Sequence, residues 1–156
     1  MSIWPKGIRE QFRSLWLSHS SPRRLAFALA MGVFLGASPL WGLHTLLAIA
    51  VAFLLGLNKP AVLLGTLVSN PLLAPFLIFL SLEVGSGMLY GRAANLSVEE
   101  IKALIEAPDT RELMNEYLLP YCAGSVVVGL VLAFLTFWIA LWSARRYRAR
   151  ERQAGP

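Results

Sequence analysis

The chain has 156 residues but only one cysteine, Cys122, and two histidines, His19 and His44. A single cysteine excludes an internal disulfide. Metal sites need clustered ligands, and these three residues have no ligand spacing. Neither a metal nor a cofactor is therefore expected. The sequence also lacks a Gly-x-Ser-x-Gly elbow, a phosphate loop and a dinucleotide fingerprint. No acid–base pair stands out in its apolar part. No catalytic residue is assigned, and nothing in the chain requires an enzyme.

Charge is scarce too. Charged residues make up 15% of the chain and hydrophobic ones 56%, against about 25% and 45–50% in soluble domains. No Asp, Glu, Lys or Arg occurs in residues 25–57, 60–82 or 118–144. About 20 such residues suffice for a helix to cross the roughly 30 Å hydrocarbon core. Three such stretches are more apolar surface than a soluble protein of this size can cover. The expected fold is all-α: a polytopic transmembrane helical protein with Pro/Gly-broken hairpins, re-entrant or fully crossing.

What charge exists sits mainly at the ends. Lys6, Arg9, Arg13, Arg23 and Arg24 lie in the first 24 residues, and Arg145, Arg146, Arg148, Arg150 and Arg152 in the tail. Beside apolar spans, such clusters favour cytoplasmic retention and anionic lipid headgroups rather than nucleic acid. Both termini are expected in the cytoplasm of a bacterium, with the chain in the inner membrane. The N-terminus lacks the short apolar run of a cleavable signal peptide.

Five segments follow. Residues 1–20 form an amphipathic cytoplasmic surface helix, with Ile8, Phe12, Leu15 and Trp16 at helical spacing. Residues 21–91 form the broken-hairpin membrane core, opened by Ser21-Pro22 as cap and first helical residue. Residues 92–117 are an acidic extracytoplasmic insert, with a capping box at Ser97-Val98-Glu99-Glu100. Residues 118–144 form the final transmembrane helix, with Tyr121, Trp138 and Trp142 suited to aromatic belts. Residues 145–156 are a basic cytoplasmic tail. With the N-terminus inside and the insert outside, residues 25–91 cross once or three times.

Two breaks interrupt the core. Gly36, Pro39 and Gly42 mark the first; Pro71 and Pro75 mark the second. Proline removes a backbone donor and glycine permits turning. Ala37-Ser38-Pro39-Leu40 and Ser69-Asn70-Pro71-Leu72 resemble each other weakly, as an internal repeat of hairpins would. Non-helical backbone at membrane depth survives only inside protein or beside a wet cavity. The candidate substrate-binding residues are therefore Ser38, His44, Thr45, Thr66, Ser69, Asn70 and Glu83. Three of them have second readings. Asn70 also suits a helix cap, His44 a hydrogen bond within the bundle, and Glu83 a helix end at the interface. For close helix packing the candidates are Ala28, Gly32 and Gly36 on one face, and Gly124 and Gly129 in the final span.

Taken in order, Ser21-Pro22 through Ala26, Gly32-Val33-Phe34-Leu35-Gly36, Pro39-Leu40-Trp41-Gly42 and His44-Thr45 resemble the opening of a bacterial membrane family, domain of unknown function 2062. Asn58, Gly65-Thr66 and Asn70-Pro71 continue the likeness, which covers roughly residues 20–91 and, more loosely, the final span. Leu73 stands where many members have threonine. The resemblance implies a bacterial inner-membrane protein, sometimes found with envelope glycan or lipid enzymes. It supplies no established activity. The leading expectation is a small carrier for a lipid-linked or anionic envelope precursor, its polar breaks opening into a cavity at a homo-oligomer interface. The alternative is a non-transporting membrane adaptor that organises envelope-biosynthesis enzymes.

Overall fold

The computed structural model describes residues 21–39, 42–94, 99 and 111–154. The expected surface helix over residues 1–20 and most of the acidic insert, including Ser97, lie outside them. Among the described residues there are five α-helices and no strand: α1 Pro22–Ala37, α2 His44–Leu54, α3 Lys59–Thr66, α4 Ala74–Tyr90 and α5 Arg111–Ala154. A 3-10 turn at Leu67–Ser69 follows α3.

Local chemistry sets the helix ends. Ser21 Oγ accepts from the Arg24 N–H at 3.3 Å, and Pro22 occupies the first turn of α1. Asn58 Oδ1 caps α3 in the same way, accepting from the Ala61 N–H at 3.1 Å. Helix α2 ends where Gly56 takes a left-handed φ of 58°. The Leu57 N–H then bonds back to Ala52 O at 2.8 Å and the Gly56 N–H to Phe53 O at 3.2 Å. This pair of bonds satisfies carbonyls that a helix end leaves open.

Helix α5 is the spine. Its 44 residues extend about 66 Å at 1.5 Å per residue. It starts earlier and ends later than the span read from hydropathy, because both flanks are built of good helix formers. By length and composition, Tyr117–Arg150 can cross a membrane; α2 and α4 are shorter apolar helices. Large apolar side chains face outward on several elements: Phe53 is 68% and Leu54 85% exposed on α2, and Phe134 is 63% exposed on α5.

Helices α1 and α4 cover α5 in tandem. Ala26 packs with Ala140 and Leu141, and Gly129 meets Phe34 and Ala37. So α1 runs against the C-terminal part of α5. Helix α4 takes the N-terminal part, where Gly85 meets Pro120 and Gly124 meets Ser81. Helices α2 and α3 close over α1 through Leu25, Ala28, Ala48, Ala52, Ala61 and Val62.

Two glycine crossings bring backbones together. A Cβ on Gly32 would overlap Val62 O and sit 2.8 Å from Gly65 Cα. A Cβ on Gly85 would overlap Pro120 O, and one on Gly124 would overlap Ser81 O. Ala28 is fully buried on the same face of α1, and a Cβ on Gly36 would come within 3.1 Å of Thr66 Cα. A Cβ on Gly129 would lie 3.2 Å from the Phe34 ring.

One end of the molecule gathers positive charge. Arg23 and Arg24 open α1, and Arg145 and Arg146 lie on α5 beyond its contact with Ala26. The Arg24 guanidinium comes within 3.7 Å of a Cβ built on Gly56. The turn between α2 and α3, with Lys59, therefore belongs to the same end.

Candidate functional site

The α1–α4 joint lies midway along the apolar part of α5. There the chain leaves the α1 helix at Ser38-Pro39 and leaves the 3-10 turn at Asn70-Pro71. A cavity of about 350 Å³ opens between them. The first break contributes Gly36, Ala37, Ser38, Gly42 and His44 to its wall. The second contributes Pro71, Ala74, Pro75, Leu77 and Ile78, and α5 contributes Tyr121. Among the described residues, no Asp, Glu, Lys or Arg lines it.

The helix starts differ by location. Helices α1 and α3 begin at the basic end, and each has a side-chain cap. Helices α2 and α4 begin at the cavity, behind Leu43 and Leu73, with no side-chain cap. Neither has an acidic residue in its first turn. A helix N-terminus carries roughly half a positive charge. Both dipoles direct their positive ends towards this mostly apolar space; at α4 the Ala74 N–H bonds Asn70 O and Pro75 has none.

The candidate residues separate into groups. Ser38 and His44 line the cavity, and both are partly buried. Ser38 Oγ donates to Leu35 O at 2.6 Å, which closes the end of α1. Thr45 is exposed on the outer side of α2. Thr66 is 7% exposed, and its hydroxyl donates to Leu63 O at 2.7 Å within α3. Asn70 is exposed and builds the turn: Oδ1 accepts from the Leu72 N–H at 3.1 Å. Its carbonyl accepts from the N–H groups of Leu73 at 2.8 Å and Ala74 at 2.9 Å. This is the usual use of asparagine in a turn. Ser69 has its backbone in the 3-10 turn. Glu83 is partly buried on α4 and does not line the cavity.

Two features had no clear sequence signal. Tyr121, which suits an aromatic belt by composition, packs with Tyr117 against Ile78 and Leu82 and reaches the cavity. Its spacing from Gly124 and Ser125, three and four residues on, places all three on the α4-facing side. Gly65 and Gly85, the partners of Gly32 and Gly124, could be identified only from the packed fold.

A family model described as "Uncharacterized protein conserved in bacteria (DUF2062)" matches residues 6–153. No curated protein and no solved structure matches the chain. The chain belongs to this bacterial family.

Proposed function

We propose that this is a multi-pass inner-membrane carrier that grips the anionic group of an envelope amphiphile in the cavity between its two breaks. In this reading α1 and α2 form a re-entrant hairpin. Helices α3 and α4 make one broken crossing, and α5 makes the return. Both termini are cytoplasmic.

Support for the topology begins with charge. The start of α1, the α2–α3 turn and the end of α5 share the basic end, which the positive-inside rule assigns to the cytoplasm. A chain that leaves this end at Arg23 and returns at Gly56 makes no net crossing, which is what a re-entrant hairpin requires. The outward apolar side chains of α2 and α5 are what lipid contact requires, and water would disfavour so large a patch.

The observation that carries the function is the convergence of two helix starts without side-chain caps on one cavity. Broken helices that aim their N-termini at a midplane site are a recurring way for carriers to hold anionic groups. About 350 Å³ is at the small end of ligand pockets. It suits a phosphate or carboxylate with a few attached atoms, the remainder of an amphiphile lying in the bilayer.

Native mass spectrometry of the purified protein with its lipids retained tests this. The parent should hold one anionic amphiphile per chain, and Ala74→Phe, which fills the cavity, should lose it while melting like the parent. A parent that retains no such species, or a variant that retains it unchanged, refutes the carrier reading. Co-purified envelope enzymes without a bound amphiphile would favour the adaptor.

A further inference from the structure

Among the described residues, two titratable side chains line the cavity between the breaks: His44 from α2 and Tyr121 from α5. The other wall residues come from the two breaks and the first turns of α4, and none of them titrates. Glu83, further along α4, is not among them. The donors on these walls are few. Ser38 has spent its proton, since Oγ donates to Leu35 O at 2.6 Å. At the start of α4 the Ala74 N–H bonds Asn70 O, and Pro75 has no N–H to offer. Tyr121 can donate a hydrogen bond, but its only charged form is negative. An anion here therefore meets one lining side chain able to take the opposite charge, the His44 imidazole.

We propose that His44 couples binding of the anionic group to uptake of one proton, so that the cavity carries its amphiphile as a neutral ion pair. This rests on the carrier reading of the same cavity and names the ion that drives it. A charge inside a membrane is costly and is normally found paired. A lysine or arginine would pair the loaded site but leave an unmatched cation in the empty one. Histidine suits both states, because its charge changes near neutral pH. Opposite charges favour each other strongly within about 4–6 Å, a range that an anion in so small a cavity shares with the imidazole. Water supplies the proton to a ring nitrogen as the anion enters, and water receives it when the anion leaves. No bond of the amphiphile is made or broken. The coupling is reciprocal: the proton tightens the anion as much as the anion tightens the proton. A proton gradient across the membrane then drives the cargo in the direction in which protons flow.

The experiment is isothermal titration calorimetry of the purified full chain with octyl sulfonate, whose own charge does not change in the neutral range. Ala74→Phe, which fills the cavity, serves as the reference for partition into detergent. Titrations at one pH in two buffers of different protonation heat count the protons taken up. The parent should take up most of one proton per sulfonate bound, and its affinity should rise by up to about tenfold per pH unit as pH falls. His44→Gln should take up none and lose the pH dependence. A second readout does not need that variant. With His19→Gln, His44 is the sole histidine, and NMR of its ring nitrogens should show the protonated fraction rising severalfold when sulfonate is added. Sulfonate binding without proton uptake, uptake that survives His44→Gln, or ring nitrogens unmoved by saturating sulfonate overturns the coupling and leaves the carrier reading standing. Absence of sulfonate binding at every pH, or equal binding by Ala74→Phe, overturns the coupling and counts against the carrier reading as well.

Discussion

Replacing Gly85 by alanine should loosen the contact of α4 with α5, whereas the same change at Gly87, two residues on, should not. The new methyl at Gly85 would overlap Pro120 O and lie 2.5 Å from Pro120 C and 3.0 Å from Gly124 N. Carbon atoms pack favourably at about 3.5–4.0 Å, so α4 must retreat by about 1 Å. A gap of that size forfeits a quarter to a half of each contact it opens, and overpacking costs about 1–3 kcal/mol. Alanine returns up to about 1 kcal/mol through helix propensity, leaving Gly85→Ala less stable by about 1–2 kcal/mol. At Gly87 nothing lies within 4 Å of the added methyl. There the propensity term acts alone, and the variant should match or exceed the parent. The difference between the two variants is about 2–3 kcal/mol, or about 5–10 °C in melting temperature for a chain of this size. Thermal unfolding in one detergent, followed by size-exclusion chromatography, measures it. Equal melting of the two variants, or a more stable Gly85→Ala, would refute the packing argument.

Two further outcomes are expected. Gly32→Leu should reduce stability more than Gly85→Ala, since its whole side chain would enter the backbone of α3 at Val62 and Gly65; melting like the parent would contradict this. In a Cys122→Ser background, Leu55→Cys and Ala154→Cys should be protected from an impermeant thiol reagent in outer-permeabilised cells, and Ser97→Cys should be labelled. Labelling of Leu55→Cys would mean that the chain makes one net crossing between Arg23 and Leu55, which contradicts the hairpin.

The sequence carried its local signals well. Ser21-Pro22 opens a helix because a hydroxyl and a proline suit the first turn whatever the surroundings. Both breaks occur where Pro39 and Pro71 remove backbone donors. The face of Ala28, Gly32 and Gly36 was visible because spacing by four fixes a helix side. Its partner was not, because the approach of Gly65 depends on a chain reversal that no local pattern encodes. Asn70 illustrates the same limit. An asparagine before proline in an apolar run suits both a ligand and a turn, and only its bond to Leu72 shows which groups its oxygen serves. The cavity itself is a property of tandem packing on α5. His44 and Tyr121 lie far apart in the chain and share a wall only because α1 ends and α4 begins at the same level.

The most direct test of the account is the distance between the two breaks in the lipid bilayer. Ser38 and Ala74 line the same cavity, so cysteines there in a Cys122→Ser background carry a pair of spin labels. The account predicts a short separation, with strong dipolar broadening and ready crosslinking by a short bifunctional reagent. A separation approaching the roughly 30 Å hydrocarbon thickness would place the breaks at opposite membrane surfaces and contradict it.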